Sequence, residues 1–149
     1  MSVASICTRH VFTIDADADT SQAAKAMREY HVGFLVVTSK QDGREVPVGV
    51  LTDRDIVLEV VAQNVDPKSV VAKDIMTPKP LVVREHAPIH DTLLQMRAAG
   101  VRRVPVQDAH GKLVGVLSLD DVVGFLNGLV QDLAGAIERE QSVETRLRA

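Results

Sequence analysis

Cysteine and aromatic residues are scarce in this sequence. Its 149 residues include one cysteine, Cys7, no tryptophan, and only 3% aromatic residues. A lone cysteine excludes a disulfide within the chain and is typical of proteins from a reducing, cytoplasmic compartment. Few aromatic rings also leave few platforms on which the bases of a nucleic acid could stack.

Basic excess and long apolar runs are absent as well. The chain has 17 Lys and Arg against 20 Asp and Glu, a formal net charge of −3, whereas nucleic-acid-binding proteins usually carry a basic patch or excess. No apolar run approaches the roughly 18–20 residues of a membrane span, and residues 1–6 lack the basic start of a signal peptide. We therefore expect a cytoplasmic protein with no nucleic-acid or membrane partner. A small anionic ligand stays open, because it needs only a few local cations.

The chain repeats itself. Ile6, Thr8, Ala18 and the dipeptide Met27-Arg28 recur 69 positions later. Further along the offset falls to 66, so that residues 48–51 recur as residues 114–117. The three missing residues fall in a turn-like stretch, where insertions collect. The sequence therefore predicts two copies of one structural unit.

Each copy is predicted to contain the element order β-α-β-β-α. In copy one, strands over residues 11–14, 34–37 and 48–51 enclose a helix over residues 20–30, and a second helix starts near Asp53. The strands are short and continuously apolar, as expected for a covered sheet. Copy two has its strands at residues 81–83, 103–106 and 113–117, with Pro88 in the first turn of one helix and Leu119 near the start of the other.

The predicted fold class is α/β (α+β), with two tandem repeats packed around a pseudo-two-fold axis. We place the repeats at residues 6–62 and 74–130, a connector at residues 63–73 and a C-terminal helical extension at residues 131–149. One unit of about 60 residues buries only a marginal core. The two units are therefore expected to share one.

One motif follows the third strand of both copies: Gly, an apolar residue, any residue, Thr or Ser, two residues of any type, and Asp. It is formed by Gly49, Thr52 and Asp55, and again by Gly115, Ser118 and Asp121. A hydroxyl at a strand-to-helix junction can cap the helix and contact a phosphate there. An aspartate three residues later can accept hydrogen bonds from two ribose hydroxyls. The glycine would let the backbone approach a ligand closely.

This doubled motif resembles the nucleotide motif of CBS domains, a family named after cystathionine β-synthase. Residues 74–78 resemble the entry segment of such a repeat, and residues 101–106 resemble its second strand. The resemblance covers about residues 6–130 and is closest to short bacterial proteins that consist of little besides one CBS pair. It implies a non-catalytic regulatory module that binds an adenine nucleotide between its repeats, forms a homodimer and signals to an effector protein. AMP, ADP and ATP are the expected ligands, with S-adenosylmethionine and NAD as further options.

The resemblance also implies which residues bind. It assigns phosphate and ribose contacts to the Thr or Ser and the Asp of each motif, and further phosphate contacts to Arg102 and Arg103. Copy one has Gly33 and Phe34 at the matching positions, so Arg54 is its substitute cation and the two sites are expected to be unequal. The full set of candidate residues is Gly49, Thr52, Arg54, Asp55, Thr77, Arg102, Arg103, Gly115, Ser118, Asp120 and Asp121.

Three other functions remain open at this stage. The motifs can be helix caps only, in which case the chain is an interaction module with non-binding sites. A small nucleotide-processing enzyme lacks an evident base, nucleophile or metal set near the motifs. Nucleic-acid binding is disfavoured by the charge. The C-terminal helix, with apolar residues at helical spacing, can pack on its own module or on a partner.

Other polar clusters give no metal or catalytic prediction. The alternating Asp15, Asp17 and Asp19 lack the glycine and glutamate that a calcium loop needs at its sixth and twelfth positions. His86 and His90 flank a proline and need not share one helical face. Cys7 aligns with a methionine in copy two, which indicates an apolar filler.

Overall fold

The structure is a computed structural model that describes residues 1–148, so Ala149 of the predicted C-terminal extension lies outside the described residues. The strands are β1 (Thr13–Asp15), β2 (Phe34–Gln41), β3 (Arg44–Thr52), β4 (Thr77–Pro78), β5 (Val83–Arg84), β6 (Arg103–Gln107) and β7 (Leu113–Ser118). The α-helices are α1 (Thr20–Tyr30), α2 (Asp53–Ile56), α3 (Ala72–Ile75), α4 (Ile89–Ala99) and α5 (Leu119–Arg148). A 3₁₀ turn (Val3–Ser5) precedes β1, and a π-helical segment (Val57–Val61) continues α2.

Two sheets with the same topology confirm the repeated α/β fold. In the first sheet, β1 pairs parallel with β2, β2 pairs antiparallel with β3, and β4 is added beside β3. In the second sheet, β5 pairs parallel with β6, and β6 pairs antiparallel with β7. Both copies therefore have the predicted strand order, and the C-terminal helix is present as α5.

The segments that enter each repeat cross to the other repeat. Thr77 of β4 pairs with Val50 of β3 in the first sheet, and Thr8 forms an isolated bridge with Val116 of β7 in the second. The amide of Thr8 donates to the Val116 carbonyl at 3.0 Å, and the amide of Val116 donates back to Thr8 at 2.9 Å. Each sheet is thus completed by the entry segment of the other copy.

The expectation of one shared core is wrong: each repeat has its own hydrophobic core, and both cores follow the same exchange of entry segments. Ala72, fully buried, lies in the first core with Leu35 and Leu51. Val3, also fully buried, lies in the second core with Leu117. Separating the two units would therefore expose apolar surface from both cores. The linear repeat boundaries at residues 6–62 and 74–130 stay a prediction.

Gly49 and Gly115 make room for these exchanged segments. A Cβ at Gly49 would lie 2.8 Å from Cγ of Met76 and 3.0 Å from the Thr77 carbonyl oxygen, and a Cβ at Gly115 would lie 3.0 Å from the Thr8 carbonyl oxygen. Real Cβ atoms pack at van der Waals distances, so a larger residue would displace the segment. The chain itself accounts for both glycines, and their contact with a ligand stays a prediction.

The two copies differ in how they end. The first ends soon after the π-helical segment, where Asn64 adopts a left-handed conformation with φ of 54°. The second continues as α5 for 30 residues. Of all residues in α5, only Val122 is buried. The extension is therefore not needed to complete either core.

Candidate functional site

Both motifs form the same reciprocal helix cap. The amide of Thr52 donates to Oδ2 of Asp55 at 2.8 Å, and the amide of Asp55 donates to Oγ1 of Thr52 at 3.2 Å. In copy two the amide of Ser118 donates to Oδ2 of Asp121 at 2.9 Å, and the amide of Asp121 donates to Oγ of Ser118 at 3.0 Å. These are capping boxes, which stabilise the first turn of a helix. The prediction that the motifs are helix caps is thus confirmed, and a cap does not exclude a further contact with a ligand.

The caps leave acceptor capacity on both aspartates. Each cap uses Oδ2, while Oδ1 of Asp55 and of Asp121 accepts no hydrogen bond from residues 1–148. An ionised carboxylate has about four acceptor positions. The hydroxyl of Ser118 donates to Oδ2 of Asp121 at 2.6 Å, whereas that of Thr52 only accepts in its cap. The Thr52 hydroxyl therefore keeps its proton available for an oxyanion.

A cavity of about 310 Å³ lies at the second motif, between the two repeats. Copy two contributes Arg103, Val116, Ser118 and Asp121 to its walls. Copy one contributes the remaining walls: Thr8, His10, Phe12, His31, Val32, Gly33 and Phe34. Its volume falls at the lower end of the roughly 300–1,000 Å³ that is usual for small-molecule sites. A capped helix start, a cation and aromatic walls thus converge on one concave surface.

Arg103 is the arginine that reaches this cavity. Its guanidinium carbon lies 5.9 Å from the centre of the Phe34 ring, a cation–π distance. Its Nη2 lies 3.7 Å from Oδ2 of Asp120, and Nη2 of Arg102 lies 3.4 Å from Oδ1 of the same carboxylate. These are exposed ion pairs, which contribute little stability. Both arginines therefore lie beside Asp120 at the helix start, and of the two only Arg103 lines the cavity.

Aromatic rings form the apolar wall of the cavity, and the sequence motifs do not indicate them. Phe12 packs 4.5 Å from His10 and stacks 4.5 Å from Tyr30, measured between ring centres. Phe12 and Phe34 both line the cavity, and they are two of only three phenylalanines in the chain. The presence of two of the three phenylalanines in copy one is the one sequence feature that points to this wall. It does not predict the wall by itself, because the sequence does not show which segments face each other across the pseudo-two-fold axis.

The remaining predicted residues surround the first motif. Thr52 pairs in register with Phe34, and Thr77 pairs with Val50. The pair Thr77–Val50 is the repeat equivalent of Thr8–Val116, which lines the 310 Å³ cavity. Arg54 lies in the first turn of α2 and is exposed. The first motif thus has the same position in copy one as the second motif, at the 310 Å³ cavity, has in copy two.

A larger cavity, of about 990 Å³, lies at the opposite ends of the strands. It is lined by the two hairpin turns, including Arg44 and Lys112, and by Arg9. None of the motif residues contributes to its walls. We place the candidate site in the smaller cavity, because there a motif aspartate, a hydroxyl and an arginine face the same space.

Cys7 lies beside this region as a buried thiol. Burial raises its pKa, the Arg9 guanidinium opposes that shift, and the carboxylates of Glu85 and Asp121 add to it. A buried, protonated thiol is a poor nucleophile, in agreement with the apolar filler expected from the sequence.

We expect Cys7 in the native protein to react with a disulfide reagent much more slowly than in denaturant at pH 8. The stability that its raised pKa contributes is present below the pKa of the unfolded thiol, roughly 8.5, and is lost as the pH rises further. The difference between the unfolding free energies of the wild type and of Cys7→Ala, followed from pH 7 to 10, measures this contribution. Equal labelling rates in the native and denatured protein would contradict the buried placement.

Two other features bear on the choice of function. Among residues 1–148, no three histidine, cysteine, aspartate or glutamate side chains are grouped so that they could share a metal ion. No helix in the same range combines the length and hydropathy needed to cross a bilayer.

Comparison with known proteins identifies relatives of this fold. The sequence profile of the CBS domain family matches residues 3–62 and 72–128. An uncharacterized protein of Methanopyrus kandleri is 32% identical over 123 residues, which cover 83% of this chain and 61% of that protein. The chain thus spans under two thirds of this relative.

Two solved structures match with similar coverage of this chain. A CBS domain protein of Pyrobaculum aerophilum, complexed with AMP, has a TM-score of 0.72 at 30% identity, covering 81% of this chain and 89% of that one. A hexameric CBS-CP12 protein from bloom-forming cyanobacteria has a TM-score of 0.73 at 28% identity, covering 83% and 66%.

Proposed function

The chain belongs to the CBS domain family, and on that premise we propose that it is a regulatory module that binds an adenine nucleotide in the 310 Å³ cavity between its repeats. The observation that carries this proposal is the placement of Ser118, Asp121 and Arg103 around one cavity with aromatic walls. The relative from Pyrobaculum aerophilum, solved with AMP, supports the choice of ligand.

Each part of a nucleotide has a matching part of the cavity. The unused Oδ1 of Asp121 accepts from the ribose hydroxyls. Phe12 and Phe34 offer apolar surface to the adenine ring. Arg103 turns from Asp120 to the phosphates, because a forked, charge-assisted contact with phosphate is stronger than its exposed pair with a carboxylate at 3.7 Å.

The first motif forms a second, unequal site, because each of its residues corresponds to a residue of the second motif in the repeat. Thr52 and Asp55 take the roles of Ser118 and Asp121, with Thr77 nearby. Arg54 stands at the position of Asp120, and Arg102, which aligns with the cavity-lining Gly33, is the further cation proposed for this site. The free hydroxyl proton of Thr52 favours a phosphate contact at this site.

The ligand then acts as a signal. Bound nucleotide favours one arrangement of the two repeats, by no more than its difference in affinity for the two arrangements. We propose that the module works in the cytoplasm as a homodimer and passes this change to an effector protein. AMP, ADP and ATP are the proposed ligands, with S-adenosylmethionine and NAD as further members of the test set. No catalytic step is proposed, because the hydroxyl of Ser118 and the carboxylate of Asp121, paired at 2.6 Å, are both engaged in the cap of α5.

We expect Arg103→Gln to lower the affinity for AMP, ADP or ATP by about 10- to 150-fold, because it removes a charge-assisted contact of roughly 1.5–3 kcal/mol. Isothermal titration of wild type, Arg103→Gln and Arg97→Gln measures this. Arg97 is an exposed arginine on α4 and is not part of either cavity described above.

Unchanged affinity in Arg103→Gln would remove the phosphate role from this residue. A wild type that binds none of the nucleotides would favour the interaction module with non-binding sites, for which the capping boxes alone explain the motifs. Turnover of a nucleotide that Asp121→Ala abolishes would instead favour an enzyme.

A further inference from the structure

The outer part of α5 is a helix without a partner in its own chain. Every residue from 129 to 148 is exposed. Six of them are large apolar residues: Leu129, Val130, Leu133, Ile137, Val143 and Leu147. With Val123 and Leu126 just before them, these side chains are each 41–82% exposed. An apolar stripe of this length marks an interaction surface.

The stripe has the seven-residue period of a coiled coil. Its two seam positions are filled by Leu126, Leu133, Glu140 and Leu147, and by Leu129, Ala136 and Val143. Leu119 and Val122, one heptad earlier, pack in the second core of their own chain. Val123, Val130 and Ile137 widen one flank of the seam. Apolar residues at alternating spacings of three and four lie along one side of an α-helix and pack into holes on a facing helix.

The helix also needs packing in order to be stable. Helices in proteins draw most of their stability from the burial of an apolar face. Gly124, Gly128 and Gly135 each weaken α5 further, because glycine is about 1 kcal/mol less favourable than alanine inside a helix. A 20-residue exposed extension with such a seam therefore requires a partner surface.

We propose that this surface is a second copy of α5, packed antiparallel with the pair's two-fold axis near Ala134 and Gly135. This inference rests on the proposed homodimer and specifies its contact. In this register Leu133 faces the partner's Ala136, and Leu126 faces the partner's Val143. Leu129 faces the partner's Glu140, and the paired stretch ends before Val122, which is buried in the second core of its own chain.

Charge selects this orientation. In the antiparallel register Asp132 lies opposite the partner's Arg139, and the two-fold axis repeats the pair. Within residues 1–148, neither Asp132 nor Arg139 takes part in an ion pair of its own chain. A parallel pair would instead place Glu140 against the partner's Glu140 in the seam, where like charges repel.

Charge reversal tests the contact. We expect Asp132→Arg or Arg139→Asp to raise the dimer dissociation constant at least tenfold, and the double variant to restore it to within about threefold, as for other salt-bridge-directed coiled coils. Glu138→Arg is the matched control, because it makes the same change of charge on the outer face and leaves the dimer unchanged. Light scattering coupled to size exclusion, over a dilution series, gives the masses.

Cysteine pairs test the orientation, in a Cys7→Ala background. The double variant Leu129→Cys/Glu140→Cys is expected to form an interchain disulfide under mild oxidation. Glu140→Cys alone is expected not to, since its two copies lie about 16 Å apart along the axis in the antiparallel register. Crosslinking of Glu140→Cys alone would overturn the orientation.

The outcomes separate this inference from the proposed function. A wild type that is monomeric at all concentrations overturns both the homodimer and the helix pair. A dimer that is insensitive to both Asp132→Arg and Arg139→Asp leaves the homodimer standing and overturns the pairing of α5. Nucleotide affinity, measured separately, bears on the cavity alone.

Discussion

Asp121→Asn is expected to lower the affinity for an adenine nucleotide by about 10- to 150-fold while leaving the melting midpoint of the free protein nearly unchanged. The asparagine oxygen can still accept from the Ser118 amide, which now donates to Oδ2 at 2.9 Å, so that the helix cap persists. The ribose hydroxyls lose an ionised acceptor, a loss of roughly 1.5–3 kcal/mol. Isothermal titration gives the affinity and calorimetry gives the midpoint.

Asp74→Asn is the matched control for this variant. Asp74 makes the same backward contact, accepting from the Val71 amide at 3.1 Å at the start of α3, and it lines neither cavity. It is expected to bind nucleotide like the wild type. If Asp121→Asn also binds like the wild type, Asp121 caps a helix and does nothing more. Asp55→Asn makes the corresponding test at the first motif.

Gly49→Val is expected to destabilise the protein by about 1–3 kcal/mol, as overpacking does elsewhere, and to lower the melting midpoint by roughly 3–10 °C. A Cβ at this position would meet Met76 and would lie 3.0 Å from the Thr77 carbonyl oxygen. The new side chain is therefore expected to displace the entry segment of copy two, which contains Met76 and Thr77, from the first sheet.

A double-mutant cycle separates this clash from a general effect of valine in the strand. Met76→Ala removes the Cγ and Sδ atoms nearest to the new Cβ, so Gly49→Val/Met76→Ala is expected to be more stable than the sum of the single variants predicts, by about 1 kcal/mol. Gly124→Ala, whose Cβ would meet open space, is expected to cause no loss. Additive effects of Gly49→Val and Met76→Ala would contradict the contact.

The elements with strong local signals could be predicted from the sequence. The helix predicted over residues 20–30 is α1 (Thr20–Tyr30), because Asp19 and Gln22 form a capping box at its start and His31 ends it in a left-handed conformation. The helix predicted near Leu119 begins there. Such signals lie within a few residues of each other and do not depend on the rest of the fold.

Boundaries set by pairing between distant segments were less accurate. The first strand begins at Thr13, two residues later than predicted, because its ladder with β2 starts where Thr13 meets Val36. Pro88 occupies the N-cap position, one residue before α4 begins at Ile89, whereas the sequence placed it in the first turn. The strand predicted over residues 34–37 extends to Gln41, since the longer hairpin of copy one adds pairs beyond Val37.

The exchange of entry segments could not be predicted, and the walls of the cavity depend on it. The apolar character of Ile6 and Cys7 predicts burial but not the sheet that buries them, because both sheets offer similar surfaces. The same ambiguity hid Phe12 from the candidate set, although it lines the cavity with Asp121. Motif residues could be predicted from their own helix start, and their neighbours across the axis could not.

The most direct test of nucleotide binding in the cleft is a thermal-shift panel of the purified wild type with AMP, ADP, ATP, S-adenosylmethionine and NAD. A ligand at about 100 times its dissociation constant stabilises the native state by roughly 2.7 kcal/mol, which raises the midpoint of a chain of this size by about 5–10 °C. The account predicts such a rise with at least one adenine nucleotide. No rise with any of the five, in protein shown to be free of co-purified nucleotide, would contradict it.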